Sequence, residues 1–310
     1  MSEARPPLHG IVVIDKPPGC TSHDVVQRVR RAVGQRSVGH AGTLDPLATG
    51  VLVVALGEGT KLVSHLQSDD KRYEVRIGLG TETDSLDSDG SPTQSAPVPP
   101  VDRESVERAL QPFLGRHAQR APKLSAIKVG GKPLHRRTRQ GEEVEAPLRE
   151  VELHEASVRA VTPTEIRLNL HCGKGFYVRS LARDLARDLG TVGHVTELRR
   201  TASGRFRIEE AIEGDGLTRE GIESRLLPLQ DACGALPRVD LRATGVSDAR
   251  HGRPIDPEDV VGSAWKEAAS EQTLAMFAPN GEPVALGRRD GDRLRVVRGF
   301  TTYDEAVVSP

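Results

Sequence analysis

Short apolar runs separated by polar and glycine-rich segments dominate the first half of the chain. Residues 11–14 and 51–56 are continuous runs of strand length, and residues 73–77 alternate as a half-buried strand does. Residues 151–160 and 165–172 have the pattern of an antiparallel pair that turns at Pro163. The pattern therefore predicts a sheet of several strands.

Two further stretches carry apolar residues at helical spacing. The first begins at Thr21 or Ser22, either of which can cap a helix, and ends before Gly34. The second runs from about residue 177 to 189. Strands with helices between them, without regular alternation, predict a mixed α+β domain rather than a doubly wound sheet.

The pattern changes near Pro237, where short apolar segments become separated by Gly and Pro. This change predicts a catalytic domain at residues 1–235 and a small β-rich module at residues 236–310. Within the first domain, residues 85–100 are rich in Ser, Asp and Pro. We expect that segment to be a mobile surface loop.

Composition is that of a globular protein, with 310 residues, 36% of them hydrophobic and 28% charged. The three cysteines form no CxxC pair, which predicts reduced thiols rather than a disulfide framework. No signal-peptide pattern and no apolar run of membrane-spanning length occur. We therefore expect a soluble cytoplasmic protein.

The net charge of −1 argues against a nucleic-acid partner, but the charge is unevenly distributed. Residues 116–141 contain eight basic residues and no acid, and residues 174–207 contain eight basic residues against three acids. Either stretch alone could be a solvated face. Together they predict a local surface that binds a polyanion.

The segment at residues 39–50 places one carboxylate, Asp45, among three glycines and a proline just before a buried strand. Catalytic groups are often held on such irregular loops by a rigid element. On spacing alone, an ordinary Asp-Pro turn is the better-supported interpretation.

Other motifs give little support for alternative chemistry. GEGTK at residues 57–61 lacks the spacing of a nucleotide-binding loop. Cys20 with His23, or His171 with Cys172, has no second ligand pair at zinc-finger spacing. No G-x-S-x-G elbow supports a serine hydrolase. The sequence thus predicts neither a metal nor a cofactor.

The segment at residues 39–50 reads GHAGTLDPLATG, and it closely resembles the active-site motif of the TruB family of tRNA pseudouridine synthases. Further blocks match this family in the same order over about two hundred residues. They are DKP at 15–17, TSHD at 21–24, KRY at 71–73, SAIKVGGK at 125–132, GKGFYVRSL at 173–181 and HVTELRRT at 194–201. The tail at 277–286 is similar to the family's small PUA-like RNA-binding module.

This resemblance implies a mixed, mainly antiparallel sheet of pseudouridine-synthase type with a PUA-like C-terminal module. It implies isomerisation of uridine 55 in the T arm of tRNA, without metal, cofactor or guide RNA. The expected partner is tRNA, no membrane is involved, and we expect a monomer.

The resemblance also implies roles for individual residues. Asp45 is the expected catalytic carboxylate, Tyr73 stacks on the flipped base, and Arg179 pairs with Asp45. The expected substrate-binding residues are His40, Lys16, Tyr177, Leu198, Lys128, Lys132 and Arg136. Whether the carboxylate adds to the sugar or the base, or abstracts a sugar proton, is left open by the resemblance.

Two alternatives are consistent with the same residues. One is a synthase of the related guide-RNA-dependent branch, although the small tail and the lack of long basic extensions argue against it. The other is a tRNA-binding folding chaperone in which catalysis is secondary. An Asp45→Asn variant assayed on unmodified tRNA separates a chaperone from an enzyme.

Overall fold

A computed structural model describes residues 5–67, 70–124 and 146–301, together with the backbone of residues 128–129 and 132–133. The side chains of Lys128 and Lys132, and all of Arg136, lie outside the described residues. Their expected contacts with RNA therefore stay predictions.

The described part of the chain forms twenty strands and seven α-helices, which are numbered here in chain order. The strands are β1 Gly10–Lys16, β2 Val38–Ala41, β3 Thr49–Leu56, β4 Lys71–Leu79, β5 Thr81–Thr83, β6 Pro92–Ser95, β7 Gly115–Arg120, β8 Lys128–Val129, β9 Lys132–Pro133, β10 Leu148–Thr162, β11 Glu165–Cys172, β12 Gly193–Ser203, β13 Phe206–Arg207, β14 Ile212–Glu213, β15 Leu227–Pro228, β16 Arg238–Leu241, β17 Val260–Val261, β18 Leu274–Phe277, β19 Pro283–Asp290 and β20 Arg293–Gly299. The helices are α1 Ser22–Val33, α2 Val63–Leu66, α3 Arg103–Leu110, α4 Val178–Asp188, α5 Arg219–Ser224, α6 Leu229–Ala232 and α7 Ala243–Arg250.

Eleven of the described strands form one central sheet, whose main path runs β14-β1-β3-β12-β4-β11-β10-β7. Neighbours in this sheet are antiparallel except for β1 with β14 and β3 with β12. The predicted pair around Pro163 is confirmed as β10 with β11. The mixed α+β class with mainly antiparallel pairing is likewise confirmed.

Helix α1 begins and ends where its sequence predicts. Thr21 accepts a hydrogen bond from the backbone of Asp24, and the Asp24 carboxylate accepts one from the backbone of Thr21 in return. The helix ends at Gly34, whose φ of 70° suits a residue without a Cβ. Its valines are buried against one face of the central sheet, which fixes the chain on either side of the helix.

The segment at residues 85–100 starts inside the protein and then runs along its surface. It contains β6, which pairs with β5. Ser85 and Asp87 are 7% and 3% exposed, whereas most residues from 88 to 100 are exposed. Ser85 donates a hydrogen bond of 2.5 Å to the carboxylate of Asp87. Ser85 and Asp87 are therefore internal, whereas the rest of the segment has the surface location that its composition predicts, and its mobility stays a prediction.

A second sheet of five strands, in the order β17-β16-β18-β19-β20, contains residues from 238 onward. It has a core of its own around Trp265 and Met276. Phe277 and Phe300 also pack with Ile11 and Val53 on the face of the central sheet opposite α1. The predicted β-rich character of this part is confirmed, whereas the boundary after residue 235 and the PUA-like type stay predictions.

In the described part of the chain, no helix is both long enough and apolar enough to cross a membrane.

Candidate active site

The chain between β2 and β3 carries Asp45 on an irregular loop that is fixed from two sides. Ser22, at the start of α1, donates to the carbonyl of Leu44 and accepts from its amide, at 3.1 and 2.8 Å. The amide of Gly19 donates to the carbonyl of Pro46 at 2.9 Å. Because both neighbours of Asp45 are bonded to other elements, its carboxylate is held in one place.

Lys16 is fully buried at the end of β1 and supports the same loop from beneath. Its ammonium donates to the carbonyls of Pro17, Cys20 and Pro46 at 2.8, 2.7 and 3.1 Å. An ammonium has three N–H groups, so none is left for a phosphate. Burial lowers the pKa of Lys16. We therefore expect Lys16 to position the loop, and its substrate-binding role stays an untested prediction.

Arg179, in the first turn of α4, forms a bidentate, side-on ion pair with Asp45. Its Nε lies 2.9 Å from Oδ2 of Asp45, and its Nη2 donates to Oδ1 at 2.9 Å. The Arg179 side chain is 7% exposed and that of Asp45 36%. The predicted pairing is confirmed, and it leaves the carboxylate accessible while its charge is compensated from the protein side.

The remaining N–H groups of Arg179 are also bonded. Nη1 donates to the carbonyl of Ser85 at 2.8 Å and lies 3.3 Å from Oδ2 of Asp87, and Nη2 donates to the carbonyl of Leu124 at 3.3 Å. A guanidinium has five N–H groups, and five acceptors are present. Arg179 is thereby fixed in one orientation.

Asp87 is a member of the site that sequence reasoning missed. It lies in the acidic run at residues 82–89, which has the composition of a solvated surface. Burial raises the pKa of its carboxyl, while Ser85 and Arg179 act in the opposite direction. The spacing Ser-x-Asp, with a hydroxyl able to bond the carboxylate two residues later, is the one local signal that could have indicated it.

Tyr73 and Arg200 are direct partners where β4 pairs with β12, so their side chains lie on the same face. Burial raises the pKa of the Tyr73 hydroxyl, and the Arg200 guanidinium acts in the opposite direction. At neutral pH the phenol is therefore protonated and can act as a donor.

Arg200 is 1% exposed and bonds to the loop that carries Asp45. Its Nη2 donates to the carbonyl of Gly42 at 3.1 Å, its Nη1 to that of Thr43 at 3.4 Å, and its Nε to that of Val51 at 2.7 Å. The basic stretch at residues 174–207 predicts a surface position for Arg200, and this is wrong because the side chain is internal.

Other arginines of the stretch at 174–207 are also paired within the protein. Arg183 pairs with Asp184, Arg187 with Glu82 and Arg199 with Asp15. Part of the charge of this stretch therefore compensates nearby carboxylates, and the expected polyanion-binding surface stays a prediction.

Three more of the expected substrate-binding residues lie on different elements of the catalytic domain. His40 lies on β2, its Nδ1 is buried without a hydrogen-bond partner, and burial lowers its pKa. Tyr177 precedes α4, and its backbone exchanges two hydrogen bonds with the amide of Gln119. Leu198 is 8% exposed on β12 beside Val75.

Leu198 lines an open groove of about 610 Å³. Leu47 and Thr49, which follow Asp45 in the chain, line it together with Leu198. Charged side chains of the neighbouring strands complete its lining, among them Glu74, Arg76, Arg159, Arg167, Glu197 and Arg199. The groove thus combines apolar and charged groups, two of them from the chain just after Asp45.

Family models match most of this architecture. Residues 30–178 match the TruB family pseudouridylate synthase N-terminal domain, and residues 179–229 match the tRNA pseudouridylate synthase B C-terminal domain. The tRNA pseudouridine synthase B of Xanthomonas campestris pv. campestris (strain B100) is 40% identical over 307 residues, which is 97% of this chain and 96% of that protein. The chain belongs to the TruB family of pseudouridylate synthases. The tRNA pseudouridine synthase B of Thermobifida fusca (strain YX) is 40% identical over 93% of this chain and 97% of that protein.

Solved structures agree with the TruB fold. A crystal structure of a Cbf5-Nop10-Gar1 complex matches with a TM-score of 0.72 and 25% identity, over 96% of this chain and 86% of that one. A structure of an H/ACA RNP bound to a substrate RNA containing 2′-deoxyuridine matches with a TM-score of 0.70 and 23% identity, at the same coverage.

Proposed function

We propose that this TruB-family protein isomerises uridine 55 in the T arm of tRNA to pseudouridine, with Asp45 as the catalytic carboxylate. The observation that carries the proposal is the side-on pairing of Asp45 with a saturated, buried Arg179. The two relatives that are 40% identical along almost the whole chain are named tRNA pseudouridine synthase B.

The reaction breaks the bond between N1 of uracil and C1′ of ribose and forms a bond between C5 and C1′. The C5 proton is lost and N1 gains a proton, so the atoms balance without a co-substrate. Asp45 acts while the base is detached from the ribose. Its carboxylate is suited to this because it is exposed towards the substrate and is fixed by Arg179 on the protein side. Arg179 positions that carboxylate.

The target base must leave its stack to reach Asp45, at a cost of a few kcal/mol. Tyr73 stacks on the flipped base, with its phenol protonated, and His40 occupies space beside the vacated stack. Tyr177 and Leu198 line the uracil pocket. Leu198 lies at the groove and supplies an apolar wall of the kind a base needs.

Affinity for tRNA comes from phosphate contacts of the basic stretch at residues 116–141, including Lys128, Lys132 and Arg136. The module at residues 236–310 is PUA-like and adds RNA contacts beyond the catalytic domain at residues 1–235. The protein acts in the cytoplasm as a monomer without a guide RNA, and the isomerisation uses no cofactor.

The test is Asp45→Asn assayed on unmodified tRNA. The variant keeps the size and a hydrogen-bond acceptor at position 45, so it should bind tRNA as the wild type does and form no pseudouridine. Arg225→Lys, on the exposed end of α5, is a matched control and should be fully active. Pseudouridine mapping in tRNA from a strain without the gene should show loss at position 55, and full activity of Asp45→Asn would overturn the assignment.

A further inference from the structure

Outside the proposed active site, three ligand-type side chains of the described residues converge on one point. Asp70, His154 and His171 bring one ligand atom each within 4.8 Å of one another. Nε2 of His154 lies 3.3 Å and Nε2 of His171 lies 3.4 Å from the same oxygen, Oδ2 of Asp70. The proposed isomerisation uses none of these three groups.

The central sheet produces this convergence. Strands β4, β11 and β10 are consecutive neighbours, and Asp70 immediately precedes β4. His171 pairs with both Arg72 and Glu155 across these strands. His154 lies at a β-bulge, where the register shifts between Leu153 and Glu155. A bulge redirects a side chain, and here it lets His154 reach the same carboxylate as His171.

Two of the three separations match a tetrahedral metal site, and the third, between the two imidazoles, lies within 4.8 Å. Zn²⁺ binds imidazole nitrogen at about 2.0–2.1 Å and carboxylate oxygen at about 2.0–2.2 Å, and the edge of a tetrahedron is about 1.6 bond lengths, or about 3.3 Å. The two nitrogen–oxygen distances of 3.3 and 3.4 Å match that edge. Both imidazoles therefore already stand at ligand spacing around Asp70.

The surroundings also suit an ion. Oε1 of Glu152 lies 3.8 Å from Nδ1 of His154, on the side of the ring away from Asp70. Metal-bound histidines commonly direct their second nitrogen towards a carboxylate, which orients the ring. The side chains of His154, His171 and Asp70 are 28%, 24% and 50% exposed, so an ion can enter and water can fill the fourth position.

We propose that Asp70, His154 and His171 bind one divalent transition-metal ion of the Zn²⁺ class, which ties β4, β10 and β11 together. Two imidazoles and a carboxylate suit Zn²⁺ and similar ions rather than Mg²⁺ or Ca²⁺, which prefer oxygen ligands alone. The site stabilises the start of the strand that carries Tyr73, because an ion that binds only the folded chain adds its binding free energy to folding.

The first experiment titrates metal-free full-length protein with Zn²⁺ in competition with a chromogenic chelator. The wild type should bind one equivalent at this site. His154→Gln, His171→Gln and Asp70→Asn should each weaken that binding about tenfold or more, since even the loss of an outer-shell partner costs about 10- to 100-fold. His251→Gln, at an exposed position after α7, is the matched control and should bind as the wild type does.

The second experiment compares melting temperatures in EDTA and with excess Zn²⁺. Similar melting of all variants in EDTA shows that they are folded, and Zn²⁺ should raise the melting temperature of the wild type and of His251→Gln only. Two imidazoles that merely share hydrogen bonds with Asp70 would bind no ion. Absence of saturable Zn²⁺ binding by the wild type, or unchanged affinity in the three ligand variants, overturns the proposal.

Discussion

Tyr73 and Arg200 are direct partners where β4 pairs with β12, so the Arg200 guanidinium lies on the same face of the sheet as the Tyr73 phenol. The same guanidinium donates to the carbonyls of Gly42 and Thr43, just ahead of Asp45 in the chain. One buried cation therefore sets the position of the strand that carries the phenol relative to the loop that carries the carboxylate. Asp45 and Tyr73 are thus two parts of one rigid assembly.

Replacing Tyr73 separates its ring from its hydroxyl. Tyr73→Leu removes both, and we expect turnover to fall by about 5- to 150-fold, because stacking on a base contributes about 1–3 kcal/mol. Tyr73→Phe keeps the ring and should retain more activity than the leucine variant, with unchanged affinity for tRNA. Single-turnover rates at saturating enzyme measure both. Equal rates for the two variants would show that the ring does not stack on the base.

Gly50 links β3 to the backbone of Arg200, and we expect it to tolerate no side chain. Its φ is 98°, and an added Cβ would lie 2.2 Å from the carbonyl oxygen of Arg200. Left-handed strain costs about 1–2 kcal/mol, and overpacking adds about 1–3 kcal/mol. Gly50→Ala should therefore lower the free energy of unfolding by about 3 kcal/mol or more, as measured by urea denaturation.

Gly34→Ala is the matched control for this prediction. Gly34 has a φ of 70°, but nothing lies within 4 Å of its added Cβ. Only the backbone strain applies, so the loss should be about 1–2 kcal/mol. Equal losses in the two variants would contradict the close contact between Gly50 and Arg200.

His40 should make the stability of the protein depend on pH. Burial, Arg200 and His23 lower its pKa in the folded state, so the unfolded chain binds the proton more readily. The contribution is fully present above the unfolded pKa, near 6.5, and is lost as the pH falls below that value towards the folded pKa.

The expected result is a free energy of unfolding that falls between pH 7.5 and 5.5, with a smaller slope in His40→Gln. One such histidine contributes at most about 1.4 kcal/mol per pH unit. The pKa values of His9, His65 and His171 are lowered as well, so part of the slope should remain. An identical slope in the variant would show that His40 is not responsible.

The sequence was most informative where one property alone decides the outcome. Runs of apolar residues predict buried strands because a buried strand requires apolar side chains. The predicted ranges of β1, β3 and β4 are therefore close to those in the structure. Thr21 and Gly34 predict the ends of α1 because caps depend on local chemistry. Asp45 was found by resemblance rather than by spacing, since an Asp-Pro turn has the same local pattern.

The sequence was least informative about which charges are buried. In the sequence, Lys16, Arg179 and Arg200 cannot be distinguished from lysines and arginines of the surface. In the structure they are buried, because hydrogen-bond acceptors that are distant in the chain bind them. Asp87 was missed for the same reason, because its partner Arg179 lies 92 positions further along the chain. Burial of a charge depends on tertiary contacts, and a local window of sequence does not contain them.

Lys16 and Arg136 provide a last prediction, because both are basic but only Arg136 is expected to contact RNA. In Lys16→Met the carbonyls of Pro17, Cys20 and Pro46 lose their donor, so the free energy of unfolding should fall by about 3 kcal/mol and turnover should fall with it. The slope of log Kd against log salt for tRNA should not change, since no phosphate contact is lost. Urea denaturation and binding at several salt concentrations measure these effects.

Arg136→Ala should behave in the opposite way. Loss of one phosphate contact should lower the salt slope by about 0.7–0.9 and weaken binding, while the free energy of unfolding should change by no more than about 0.5 kcal/mol. A reduced salt slope in Lys16→Met would show that Lys16 contacts a phosphate. It would contradict the internal hydrogen bonds of its ammonium. An unchanged slope in Arg136→Ala would instead place the RNA away from residues 116–141, because a cation that binds phosphate must release counterions.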